Sequence, residues 1–135
     1  MARTFLADSW FFIANIDRSD DHHLRARRLY ESKLGDVIIT HDSILTEVLA
    51  FFSAEGAAMR AAAARFVRQI LRDFRVVSPD RALFIRALEL YERRLDKQYS
   101  LVDCMSMLVM RDRGITTVLT NDHHFSQEGF TLLNT

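Results

Sequence analysis

Hydrophobic positions along the chain fall into two alternating rhythms. Four short runs are almost uninterrupted in apolar, β-branched or aromatic character: Thr4-Phe5-Leu6-Ala7, Val37-Ile38-Ile39-Thr40, Phe74-Arg75-Val76-Val77 and Thr116-Thr117-Val118-Leu119-Thr120. Gly35, Pro79 and Gly114 supply turn chemistry beside them. Runs of this kind read as strands buried on both faces, and Phe130 to Leu133 is a candidate fifth. Between them the apolar residues recur at helical spacing, which predicts helices over 9–15, 20–34, 42–53, 56–73, 81–95 and 101–113. Strands that alternate with helices form a parallel sheet covered on both sides, so the expected class is α/β.

Composition narrows this picture. At 135 residues, with four Gly and one Pro and no linker-like or repeated tract, a single domain over residues 1–135 is expected. Eighteen basic residues balance eighteen acidic ones, which excludes a polycation that grips nucleic acid by bulk charge. The longest early apolar stretch, Trp10-Phe11-Phe12-Ile13-Ala14, is far too short to span a membrane. Asp8 interrupts the N-terminus before a signal-peptide core can form. The one cysteine, Cys104, cannot form an internal disulfide, so a reducing, cytoplasmic setting is expected. The alanines between 57 and 64 permit close packing of a helix against its partner helix or another subunit.

In open parallel sheets, ligands gather beyond the carboxyl ends of the strands. Asp8 directly follows the first strand, and Asp122 comes two residues after the strand ending at Thr120. Two further carboxylates stand where charge is costly. Asp103 is the only charge in the apolar run from Leu101 to Met110, and Ser100 three residues before it makes a capping box. That box explains the position structurally; the functional reading keeps its geometry and turns the carboxylate into a shared acidic pocket. Glu47 lies at the margin of a stripe formed by Ile44, Val48, Phe51 and Phe52, where a boundary glutamate would pack its stem and wet its head. Four converging carboxylates would repel one another unless a divalent ion neutralised them. Oxygen donors without His or Cys suit Mg²⁺ or Mn²⁺, ions that bind phosphate oxygens and activate water. Hydrolysis of a phosphate ester is the chemistry these residues suggest.

Four segments in order, Phe5-Leu6-Ala7-Asp8-Ser9, Thr46-Glu47-Val48, Ser100-Leu101-Val102-Asp103 and Leu119-Thr120-Asn121-Asp122-His123-His124-Phe125, together resemble the PIN domain, and by length and layout its VapC-type ribonuclease toxins. The resemblance implies a three-layer α/β/α sandwich with a central, mostly parallel sheet of four to five strands. It implies a Mg²⁺- or Mn²⁺-dependent endoribonuclease, a homodimer and an antitoxin partner. Asp8, Glu47, Asp103 and Asp122 correspond to the family's acidic quartet, with Asp8 and Asp103 expected nearest the metal. Ser9, Asn121 and Ser100 take supporting places. The implied mechanism is attack of activated water on the scissile phosphorus, leaving a 5′-phosphate and a 3′-hydroxyl. Two other readings are open: an RNA-maturation nuclease without an antitoxin, and a PIN-like module that binds RNA or protein without cutting. Four costly carboxylates argue against the last.

Other signals carry less. Asp21-His22-His23 and Asp122-His123-His124 spell the acid-His-His string of a longer, two-domain phosphoesterase family, and His41-Asp42 mimics a phosphohydrolase pair whose partner ligands are missing. Surface polarity or helix capping accounts for all five histidines, and Cys104 reads as a core thiol. Arg25, Arg27 and Arg28 form one basic group; Arg60, Arg65, Arg68, Arg72 and Arg75 form another. Arg65, Arg68 and Arg72 share a helical face, which is either a solvated surface or an RNA backbone track. Trp10, Phe11 and Phe12 read as core, with an exposed ring available to a base or an antitoxin.

Overall fold

A computed structural model describes residues 2–135. In chain order it comprises β1 (Thr4–Ala7), α1 (Ser9–Ile16), α2 (His23–Ser32), β2 (Val37–His41), α3 (Asp42–Phe51) and α4 (Ala57–Asp73). There follow β3 (Arg75–Val77), α5 (Arg81–Arg93), α6 (Leu101–Arg113), β4 (Thr117–Leu119), α7 (His124–Gln127) and β5 (Thr131–Leu133). All five strands are parallel, in the order β3-β2-β1-β4-β5. The chain therefore winds outward from β1 in one direction, returns past it, and winds outward in the other. Right-handed crossovers place the helices of the two windings on opposite faces; α1 to α4 pack among themselves, as do α5, α6 and α7. The result is the three-layer sandwich, with β1 at the point where the winding reverses.

The strands read so clearly because the sheet is sealed on both sides. Leu6, Ala7, Val118 and Leu119 are fully buried, and Phe11, Phe12, Ile44, Leu90, Met107 and Met110 fill the layers above and below. Side-chain capping fixes the start of two helices. Asp80 caps α5 by accepting the Leu83 amide at 2.8 Å. The Ser100–Asp103 capping box starts α6, and Gly114, at φ 65°, stops it.

Three details differ from the sequence expectation. Helix α2 starts at His23 because Asp17 and Asp20 accept the amides of Ser19 and His22, closing Asx turns that compete with helix. The buried stripe of α3 continues from Val48 to Phe52, four residues on; Phe51 falls outside it and is 51% exposed. The short α7 gave no periodic signal, since four residues make barely one turn. Among the alanines of α4, Ala63 is the one fully buried.

Candidate active site

Strand β1 delivers Asp8 to the centre of the strand-exit end, where its amide donates to the Leu119 carbonyl at 3.2 Å. Asp8 stands at the N-cap of α1 yet makes no side-chain cap bond. Its Oδ2 instead accepts the buried Thr120 hydroxyl at 2.8 Å. Across β1, the Thr40 hydroxyl donates to the Ala7 carbonyl at 3.0 Å, tying the end of β2 to the residue before Asp8. Burial pushes the Asp8 carboxyl up to about 7; the Thr120 bond opposes this, and the charges of Asp103 and Glu47 reinforce it.

Asp103 satisfies both readings of its position. Its amide donates to Ser100 Oγ and its Oδ2 accepts the Ser100 amide, each at 3.0 Å, completing the capping box. The same oxygen lies 3.2 Å from His124 Nδ1. Burial raises its pKa above the usual carboxylate value, the Ser100 amide resists, and Asp122 adds to the rise. Glu47, half-buried on α3, is raised first by burial and then by the Asp103 charge, with a contact to Ser9 pulling the other way and Asp122 adding to the rise. Asp103 is thus the node: it couples electrostatically to each of the other three carboxylates.

Asp122 is held by its neighbours in sequence. Its amide donates to Thr120 Oγ1 at 3.1 Å, and its Oδ1 accepts the His124 amide at 2.9 Å. That bond aims the His124 ring back at the acids, with Nδ1 3.2 Å from Asp122 Oδ1. One donor atom each from Asp103, Asp122 and His124 lies within 4.8 Å of the others, a grouping able to hold a metal ion. Asp8 and Glu47 border this trio through their charges and are not part of that grouping. Among the described residues, no Lys or Arg forms an ion pair with any of the four acids. Arg94 and Arg111 are committed to Glu128, and Arg86 to Asp112. A pocket of mutually repelling carboxylates to which no Lys or Arg is paired fits a divalent cation.

Two functional residues escaped the sequence reading. Thr120 orients Asp8 across 112 residues, and the signal that marks it is the Thr-x-Asp spacing of a hydroxyl turn at a strand end. His124 joins the acids, where surface polarity or capping had accounted for it. His41 also departs from that account. It is fully buried, its Nε2 meets the Ser106 hydroxyl at 2.8 Å, its Nδ1 has no partner, and burial pulls it down to about 4. Of the supporting residues, Ser100 and Ser9 contact the quartet, while the Asn121 side chain accepts from Asn134 at 3.2 Å. Cys104 is a buried core thiol that burial pushes up to about 11, far from nucleophilic character. Arg65, Arg68 and Arg72 do share a face, lining an open groove of about 520 Å³ with Phe66. Because α4 runs down to the start of β3, Arg72 lies toward the strand-start half of the sheet, away from the acids.

Comparisons with known proteins agree with this architecture. The sequence profile of the PIN domain matches residues 5–130. The 23S rRNA-specific endonuclease VapC20 of Mycobacterium tuberculosis is 32% identical over 123 residues, which covers 91% of this chain and 92% of that protein. The crystal structure of VapC20, described as a sarcin–ricin loop cleaving toxin, superposes with a TM-score of 0.87 at 28% identity, covering 97% of this chain and 99% of the other. The structure of FitAcB from Neisseria gonorrhoeae shares the fold, with a TM-score of 0.73 at 15% identity over 96% of each chain.

Proposed function

Given that the chain belongs to the PIN domain family and, within it, to the VapC type, we propose that it is a metal-dependent endoribonuclease and the toxin half of a toxin–antitoxin pair. The observation that carries this reading is the convergence of Asp8, Glu47, Asp103 and Asp122 at the strand exits, with raised proton affinity in three of them and no cationic partner. Asp103 and Asp122 would hold the ion, with Asp8 and Glu47 closing the acidic rim. When bound, a Mg²⁺ or Mn²⁺ ion supplies Lewis acidity toward phosphate oxygens and lowers the pKa of water. The chain's own residues do the positioning. Thr120 fixes the Asp8 carboxylate, the Ser100 amide fixes Asp103 Oδ2, and the Asp122 turn is set by Thr120 Oγ1.

The substrate class follows from the relative: VapC20 acts on 23S rRNA, so a stem-loop of ribosomal RNA is the first substrate to test here. An antitoxin would be the natural inhibitor. A homodimer is supported by α5, which turns Ile85, Leu88 and Tyr91 outward at a spacing of three. Among the described residues no helix is long and apolar enough to cross a membrane, and a cytoplasmic location suits the RNA target.

The test is cleavage of a sarcin–ricin-type RNA with mapped ends, with and without EDTA. Cleavage should need added Mg²⁺ or Mn²⁺ and leave a 5′-phosphate and a 3′-hydroxyl. Asp103→Asn keeps the cap geometry and should lower the rate by roughly a thousandfold, the loss of several kcal/mol of charge stabilisation. Undiminished cutting by Asp103→Asn in Mn²⁺ would refute the assignment. Growth arrest on expression, relieved by a neighbouring small gene product, separates toxin from maturation enzyme, and light scattering reads the dimer.

A further inference from the structure

The oxygen-only quartet leaves one side chain unexplained. We propose that His124 contributes a nitrogen ligand to the same ion, so that the site is a mixed nitrogen–oxygen site that favours Mn²⁺ over Mg²⁺. This inference rests on the nuclease reading and deepens it by naming what selects the metal.

The geometry is the first argument. His124 Nδ1 lies 3.2 Å from Asp103 Oδ2 and 3.2 Å from Asp122 Oδ1. In an octahedral site with metal–ligand bonds of about 2.1 Å, adjacent ligand atoms are separated by a factor of √2, or about 3.0 Å. Nδ1 therefore stands at coordination-face spacing from both carboxylate oxygens before any ion arrives, and all three donor atoms lie within 4.8 Å of one another. The second argument is that the ring is held there. Its backbone amide donates to Asp122 Oδ1 at 2.9 Å, which fixes the start of α7. One side of the ring meets Tyr99 edge-to-face, with centroids 5.5 Å apart. Tyr99 is itself buried, and its hydroxyl donates to Glu128 Oε2 at 3.0 Å. Glu128 accepts in turn from Arg94 at 3.1 and 3.3 Å and from Arg111 at 3.0 Å. A buried carboxylate with three donors thus anchors α7 against α6 and braces the imidazole from behind, as outer-shell partners brace a ligating histidine.

The third argument is chemical. Imidazole binds poorly to Mg²⁺, which prefers oxygen donors and retains its water, and better to ions further along the divalent transition series. Replacing one oxygen donor by nitrogen therefore tilts selectivity without adding charge. The alternative is that Nδ1 only donates a hydrogen bond to the two carboxylates, in which case it never binds the ion.

Electron spin-echo modulation of bound Mn²⁺ distinguishes the two. The full chain is loaded with Mn²⁺ alone, once at natural isotope abundance and once with ¹⁵N-labelled histidine. A directly coordinated ring gives a ¹⁴N modulation that changes to ¹⁵N frequencies on labelling, with no substitution and so no question of folding. His123→Ala, altering the exposed neighbour, should keep the signal, and His124→Ala should lose it. His124→Ala should also weaken Mn²⁺ roughly tenfold or more by calorimetry while moving Mg²⁺ far less. Mn²⁺ bound without a histidine nitrogen signal overturns this inference and leaves the nuclease reading intact. Failure of the wild type to bind either ion overturns both.

Discussion

Burying Asp8 should make the metal-free protein pH-sensitive in an unusual direction, and Asp8→Asn should reveal how strongly. In the folded chain its carboxyl is pushed up to about 7 from an ordinary value of 3.8, because it is buried, with Asp103 and Glu47 adding repulsion. Between those two values the folded state holds a proton that the unfolded state has released. Stability from this group is therefore full below about pH 3.8 and is lost as the pH rises through 7. At 1.36 kcal/mol per pKa unit, the full penalty at pH 8 is on the order of 4 kcal/mol. Asparagine has the same shape, can accept the Thr120 hydroxyl at the Oδ position, and carries no charge. Asp8→Asn should therefore be more stable than the wild type in EDTA at pH 8 by about 2–4 kcal/mol, near 10 °C in Tm, with the gap shrinking to nothing by pH 4. Mn²⁺ at a thousand times its Kd adds about 4 kcal/mol to any form that binds it, and because Asp103, Asp122 and His124 are intact in Asp8→Asn, both melting curves should rise with the ion. Thermal melts monitored by circular dichroism at pH 4, 6 and 8 measure all of this. A variant no more stable than the wild type at pH 8 without metal would refute the electrostatic account of the pocket.

Two further outcomes are expected. Burial holds His41 at about 4 against an ordinary 6.5, so the unfolded chain takes up the proton first, and stability is lost as the pH falls from 6.5 toward 4, by on the order of 3 kcal/mol. In the wild type this opposes the Asp8 effect, and urea titrations of Asp8→Asn at pH 7 and pH 5 should expose it with the Asp8 contribution removed. Gly114→Ala should cost about 1 kcal/mol in the same assay, since φ is 65° and an added Cβ would meet nothing; the cost is backbone conformation and no clash.

The fold was legible because parallel strands buried on both faces are largely apolar, as Phe5-Leu6-Ala7, Val37-Ile38-Ile39 and Val118-Leu119 are. The acids were legible for the complementary reason: Asp103 is charged where its neighbours cannot be, and Asp8 and Asp122 follow strands at the end where ligands collect. Glu47 was harder, since the edge of an apolar stripe is an ordinary place for a glutamate. What the sequence could not reveal depends on partners far along the chain. Thr120 acquires its role from Asp8, His41 its burial from Ser106 65 residues away, and His124 its direction from Tyr99 and Glu128. Phe51 misled because one residue of helical rotation at the last turn of α3 decides between core and solvent.

The placement of the arginines leaves the four acids without a cationic side chain paired to them. Helix α6 is polarised end to end: Asp103 sits at its N-terminus, where the helix dipole favours an anion, and Arg111 and Arg113 sit in its last turn, where it favours cations. Arg111 and Arg94 then neutralise Glu128, and Arg86 pairs bidentately with Asp112 at 2.8 Å. The chain is neutral overall, yet among the described residues no Lys or Arg forms an ion pair with the four acids. A polyanion approaching the four acids would meet repulsion at short range, so on this reading RNA can settle there only after the acids have been neutralised, and the ion that equips the site for catalysis is also what admits the substrate.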